Sequence, residues 1–202
     1  MAAEAAIYVN IYYMNIICEG ADALGKGTQI QLIKNEFERR GQAVMVAHYS
    51  NLKFSKDSKE IEQMSKTTYA AMFNIMSVVG QVPFCNLILD RAHIGEVVYS
   101  PMYRGYSGNY VYGLEKEYLK DYSSKDTKLI LFSDTAENVI ARDKARGDGL
   151  SFTLDLNKKR DELKRFEDAV SKSKLNHKII MLNGRTPEEI FEQDVKPYIW
   201  SE

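Results

Sequence analysis

The stretch Gly20-Ala21-Asp22-Ala23-Leu24-Gly25-Lys26-Gly27-Thr28 constrains this chain more than any other. It follows a short apolar run, Asn15 to Cys18, and opens a segment in which Ile30, Ile33 and Phe37 recur at i, i+3 and i+7 before Gly41. Glycines between a strand and a helix let the backbone turn tightly, so that its N–H groups converge on an anion at the positive end of the helix. Lys26 is placed to reach the β and γ phosphates of a nucleotide. An ordinary glycine-rich turn would explain the letters alone; it does not explain why strand, loop, lysine and helix coincide. The strict phosphate-loop pattern has Ser or Thr directly after the lysine to ligate Mg²⁺, whereas here Gly27 stands there and Thr28 follows.

Further apolar runs that read as buried strands fall at Val44 to His48, Asn86 to Leu89, Lys128 to Phe132 and Lys178 to Leu182, with helical spacing between them. Strands alternating with helices imply a parallel sheet. A helix from about Asp57 to Val79 is predicted to bury Ile61, Met64, Thr68, Ala71, Met72, Ile75 and Val79. The last helix has Thr186 as N-cap, Pro187 at its first position and Glu189 closing a capping box. Gly147-Asp148-Gly149-Leu150-Ser151 joins two charged helices and is a candidate lid, about 142–152. With 202 residues the chain is close to one ordinary domain, residues 14–202, preceded by a 13-residue extension or expression scar.

Lysine and arginine number 27 against 28 acidic residues, which gives no broad electrostatic case for nucleic acid or an anionic membrane. No apolar run is long enough to span a bilayer. Cys18 and Cys85 sit in apolar runs and read as buried reduced thiols, pointing to a reducing compartment, the cytoplasm. Tyrosines at 99, 103, 106, 110 and 112 suggest a stacking surface, but only Arg104 accompanies them, so core packing or ligand lining explains them better than single-stranded nucleic acid. His93 and His177 lack partners at metal-ligand spacing.

Two other places carry chemistry. Asp90-Arg91 ends the third strand, at the sheet edge where such folds bind ligands; Asp90 there can orient Mg²⁺ through water and Arg91 can hold a phosphate bidentately. Arg142 and Arg146, at i and i+4 before the lid, can bring two guanidiniums over a migrating phosphoryl group. The bland readings are a surface Asp–Arg pair and a solvated helix face partnered by Asp143 and Asp148.

Together, Glu19-Gly20-Ala21-Asp22 with Gly25-Lys26-Gly27-Thr28, then Asp90-Arg91, Arg142 and Arg146, resemble the thymidylate kinase family from Met14 onward. The string Asp90 to Gly105 further resembles thymidylate kinase-like proteins often encoded by bacteriophages, which would place the protein in a host cytoplasm. The resemblance implies a three-layer P-loop kinase fold with a central five-stranded parallel sheet flanked by helices and a short helical lid. It implies Mg²⁺ with ATP as donor, small-molecule nucleotides as partners, a homodimer, and transfer to a deoxynucleoside 5′-monophosphate, dTMP first. Asp22 and Arg91 would bind the acceptor, Tyr99 would pack on its sugar and disfavour a 2′-hydroxyl, and Glu96, Tyr103 and Arg104 would line the same site. Arg142 and Arg146 would do the work of an arginine that some members carry where Ala23 stands, and the Asn183-Gly184 turn would contact adenine.

The chain departs from the family between residues 41 and 90, where it has no arginine for the acceptor phosphate or for thymine. Lys53 is a substitute for the first and Phe73 a stacking surface for the base. The alternatives are a kinase for another deoxynucleotide or deoxynucleoside, a P-loop ATPase or nucleotide-binding module, and an inactive interaction protein.

Overall fold

A computed structural model describes residues 13–49, 57–81, 85–121, 127–147 and 153–200. Five parallel strands, β1 (Asn15–Glu19), β2 (Val44–His48), β3 (Asn86–Asp90), β4 (Thr127–Ser133) and β5 (Asn176–Met181), form one sheet in the order β2-β3-β1-β4-β5. The central strands are near-continuous aliphatic runs because both their faces are covered: Ile16, Ile17, Leu87 to Leu89 and Leu129 to Phe132 are fully buried. β2 is an exposed edge, with Met45 and Val46 both about two-fifths accessible, so the expectation of a buried strand there is corrected.

The helices are α1 (Lys26–Arg39), α2 (Ser58–Gln81), α3 (His93–Tyr99), α4 (Val111–Asp121), α5 (Ala136–Arg146), α6 (Leu156–Lys172), α7 (Pro187–Ile190) and α8 (Lys196–Ile199). A wide π turn over Ser100–Arg104 follows α3, and another over Phe191–Val195 joins α7 to α8. Parallel crossovers are right-handed, which sends α1, leading from β1 out to β2, to one face and the helices of the return connections to the other. The packing follows this division. α2 lies on α4 and α3 on α6, while α1 meets the C-terminal segment through Phe37 and Trp200, whose rings are 5.0 Å apart. No described helix is long and apolar enough to cross a membrane.

The capping box at Thr186 is formed as expected: Thr186 N donates to Glu189 Oε2 at 2.8 Å and Glu189 N to Thr186 Oγ1 at 3.2 Å. The buried face of α2 differs from expectation. Ser65, Tyr69, Met72, Phe73, Met76 and Ser77 face inward, whereas Ala71 and Ile75 are exposed and Ile61, Met64, Thr68 and Val79 are half-buried. The inward face is built from two aromatic rings and two methionines, and Ser65 is held there by its 2.9 Å hydrogen bond with the Tyr106 hydroxyl.

Candidate functional site

The strand order reverses direction around β1, so the carboxyl ends of β1 and β3 open the crevice in which doubly wound sheets bind ligands. The Gly20–Thr28 loop leaves β1 there. Gly20 adopts φ +138°, and a Cβ on it would come within 2.5 Å of the Phe132 carbonyl oxygen of β4, so only glycine lets the loop start this close to the sheet. Ala23 and Gly25 also take left-handed φ, coiling the backbone toward the start of α1.

Lys26, the first residue of α1, is 7% exposed, and its Nζ donates to the carbonyls of Gly20 at 2.9 Å and Ala21 at 2.6 Å. The loop thus closes around its own lysine. Burial, and then the charge of Arg91, lower its pKa from the usual 10.5 to about 8. The methyl of Ala21 and the side chain of Leu24 are buried beneath the loop, while Gly27 and Thr28 face outward.

At the end of β1 itself, Glu19 Oε1 accepts from the N–H groups of Ala92 at 2.8 Å and Ile94 at 3.1 Å, which fixes the start of α3 against that strand. Between β3 and α3 the backbone turns through Arg91, whose φ is +68° and whose N–H donates to the Cys18 carbonyl at 3.0 Å. The Arg91 guanidinium is paired with Asp22 of the loop. Burial opposes its charge, but Asp22, then Tyr99 and Glu19, outweigh that and hold its pKa above the ordinary value. Asp90, at the last position of β3, meets His48 Nδ1 from the end of β2 at 2.9 Å; the two are register partners.

Arg142 and Arg146 reach the same place from α5. Arg142 is anchored by buried Asp134, which follows β4, and Arg146 by Asp143 at 3.0 Å, the partner the bland reading named. A cavity of about 490 Å³ is lined by Asp22 to Thr28 of the loop together with His48, Asp90, Arg91, Arg142 and Arg146. Two strand ends and helix α5 therefore present four basic side chains, Lys26, Arg91, Arg142 and Arg146, to one opening, an arrangement that suits a polyanion carrying several phosphates.

The remaining expected residues lie elsewhere. Gly20 and Ala21 support the cavity from behind through their carbonyls. Phe73 is in the core, packed on His93 and Tyr118 with ring centroids 5.2 and 5.7 Å away, and lies outside the cavity, unlike the open stacking surface expected of it. Glu96 is fully buried and satisfied internally, by Arg104, by the Tyr106 hydroxyl at 2.8 Å and by the Tyr110 hydroxyl at 3.0 Å, so Glu96 and Arg104 fasten α3 to the segment after it and do not line the cavity. Tyr99 is 5% exposed behind Arg91, with Tyr103 beside it at 6.0 Å between centroids, half-open to solvent. Burial and Glu162 hold the Tyr99 phenol well above its ordinary pKa. Asn183 and Gly184 form an exposed left-handed turn after β5, and beyond it Gln29 Nε2 of α1 donates to the Pro187 carbonyl at 2.8 Å. Lys53 and residues 148–152 of the expected lid lie outside the described residues. His48 and Asp134 were not expected; the position of His48 at a strand's carboxyl end was the available signal.

No family model and no curated protein matches the chain. Among solved structures, the YorR protein of Bacillus subtilis in complex with phosphorylated GDP superposes with a TM-score of 0.64 at 16% identity, over 91% of this chain and 94% of that one. Thymidylate kinase from Candida albicans superposes with a TM-score of 0.59 at 15% identity, over 92% of this chain and 90% of that one. The chain has the fold of thymidylate kinase-like P-loop kinases, as its loop and strand order require.

Proposed function

We propose that the protein is a nucleotide kinase that transfers the γ-phosphoryl group of ATP to a deoxynucleoside 5′-monophosphate, with dTMP giving dTDP as the leading pair. The observation that carries this reading is that Lys26 and its loop line one cavity together with Arg91, Arg142 and Arg146. Phosphoryl transfer needs little covalent chemistry from the protein; it needs two substrates held in line and negative charge neutralised as it shifts.

In this reading the loop N–H groups and Lys26 hold the β and γ phosphates. Arg91 holds the acceptor phosphate, oriented by Asp22, and Arg142 and Arg146 stabilise the group in flight. Asp90 is the carboxylate suited to Mg²⁺, which keeps most of its waters and binds through one or two carboxylates and the substrate phosphates; no group of three or more metal-binding side chains occurs among the described residues, and none is needed. When bound, the ion neutralises charge on the phosphate oxygens. Asp90 would have to leave His48 or share it, since the two are in contact.

The base is the least constrained part of the proposal. The relative in complex with phosphorylated GDP favours testing guanine alongside thymine, as a second reading of the same site. Coupled ADP release with ATP·Mg²⁺ against dTMP, dUMP, dGMP, dCMP, dAMP, GMP, UMP and thymidine, with a well lacking acceptor, tests both. Turnover confined to one or two monophosphates supports the kinase and names its base. Equal release in every well identifies an ATPase and refutes it.

A further inference from the structure

The corner between β3 and α3 is held at three places by one short stretch of chain, the end of β1 and the start of the phosphate loop. The Arg91 N–H donates to the Cys18 carbonyl at 3.0 Å, the Ala92 N–H donates to Glu19 Oε1 at 2.8 Å, and the Arg91 guanidinium pairs with Asp22. Arg91 needs such holding, because its φ of +68° is one that a side chain other than glycine resists, and it persists only where the surroundings impose it. Glu19 is a demanding partner for this purpose. Its carboxylate is fully buried, and its described hydrogen-bond partners are all backbone N–H groups on Oε1: those of Ala92, of Ile94 at 3.1 Å and of Gly95 at 3.3 Å. Oε2 is buried and has no hydrogen-bond partner among the described residues. A buried carboxylate satisfied on one oxygen regains only part of the hydration it lost.

The start of a helix does not require so distant a partner. The N-cap of α3 is Ala92, which has no side-chain oxygen, and Ser, Thr or Asp at that position is the ordinary local answer to the same orphan N–H groups. A local cap would steady α3 without tying it to anything else. The glutamate ties the corner to the strand from which the phosphate loop departs. We propose that Glu19 is a positioning residue: by its reach from β1 to the Ala92 N–H it sets where Arg91 stands against the phosphate loop, and so how Arg91 receives the acceptor phosphate. The inference rests on the kinase reading for the identity of that phosphate. Cys18 and Asp22 hold the backbone and the guanidinium of Arg91, and Glu19 holds the peptide group between them and α3.

Reach and charge can be varied separately. Glu19→Gln keeps the length and leaves a carbonyl oxygen to accept from the same N–H groups, with its amide nitrogen where Oε2 has no partner. Glu19→Asp keeps the charge but is one methylene shorter. It either releases the start of α3 or draws the corner toward β1, and Arg91 moves in both cases.

The test is calorimetric titration of ATP and of dTMP, or of whichever monophosphate the wild-type protein turns over, into Glu19→Gln and Glu19→Asp, each made with Arg91 present and with Arg91→Ala. With Arg91 present, Glu19→Asp should weaken monophosphate binding about tenfold, the size of a lost hydrogen bond to a charged group, while its ATP affinity changes less than about twofold. Glu19→Gln should bind both ligands within about twofold of wild type. With Arg91→Ala, Glu19→Asp should have no further effect, because residues acting through one contact are not additive. Equal weakening in both backgrounds, parallel losses for ATP and monophosphate, or unchanged monophosphate affinity in Glu19→Asp overturns the proposal and makes Glu19 a cap alone. Where Glu19→Asp does not fold, Glu19→Gln decides: retained monophosphate binding supports reach, and its loss shows that charge is what matters and overturns the proposal. Wild-type protein that binds the monophosphate but transfers nothing overturns the kinase reading alone, since the positioning is read from binding. Protein that binds no monophosphate overturns both.

Discussion

The lowered pKa of Lys26 makes ATP binding a proton-coupled event. In the free protein Lys26 titrates at about 8 in place of 10.5, a gap equivalent to up to about 3 kcal/mol between its two protonation states. The sign follows from proton counts. Between pH 8 and 10.5 the unfolded chain keeps the Lys26 proton and the folded chain has lost it, so stability of the free protein rises with pH across that window and the full penalty applies below it. A triphosphate reverses the balance, because the loop can then offer the ammonium an anion. At pH 8.5 roughly three quarters of free molecules carry neutral Lys26, and each must take up a proton to bind ATP in its charged form. Titration calorimetry of ATP·Mg²⁺ at pH 8.5, in buffers of low and high ionisation enthalpy, should therefore return heats that differ by about three quarters of the difference between the two buffers' ionisation enthalpies. Affinity should weaken nearly tenfold per pH unit above 9. Lys26→Met should abolish the buffer dependence and raise the melting temperature of the free protein at pH 7. Identical heats in both buffers for the wild-type protein would refute the reasoning, whatever the affinity.

Three further outcomes follow from the same site. Gly20→Ala must push a methyl against the Phe132 carbonyl in a backbone conformation that alanine resists, so chemical denaturation should show a loss of about 2 kcal/mol or more; near-neutral stability would mean the loop does not sit this close to β4. Arg142→Ala leaves buried Asp134 without its guanidinium, and should cost about 1 to 3 kcal/mol along with most turnover. Adding Asp134→Asn should restore the stability and leave the turnover low, and recovery of both would remove Arg142 from the chemistry. His48→Ala frees Asp90 from its ring partner, so the Mg²⁺ concentration needed for half-maximal turnover should fall in steady-state assays while the acceptor KM holds; an unchanged Mg²⁺ requirement would mean that His48 and the ion do not compete for Asp90.

The features legible in the sequence are those set by neighbours along the chain. The phosphate loop, the capping box at Thr186 and the strand runs each depend on residues within a few positions of one another, and each appears within a residue or two of where spacing puts it. What escaped depends on contacts between distant segments. That β2 is an edge follows from strand order, which periodicity does not encode. His48 became a site residue because β2 pairs in register with β3 and delivers it beside Asp90. Phe73 and Glu96 have the chemistry of ligand-binding residues, and only the positions of Tyr118, His93, Tyr106 and Tyr110 reveal that each is occupied inside the protein. Glu162 lies 63 residues from Tyr99 and looks like one more charge on a charged helix.

The left-handed backbone at Arg91 has a bearing on how this protein would change under selection. An ordinary side chain in that conformation carries a strain of roughly 1 to 2 kcal/mol that glycine does not. Arg91→Gly would therefore relax the turn between β3 and α3 while deleting the cation that faces the cavity. In a population freed from the need for activity, glycine or asparagine at this position would be a stabilising and readily reached substitution. Persistence of arginine there among descendants of this sequence would record selection on the reaction itself, visible at a site where folding alone favours a different residue.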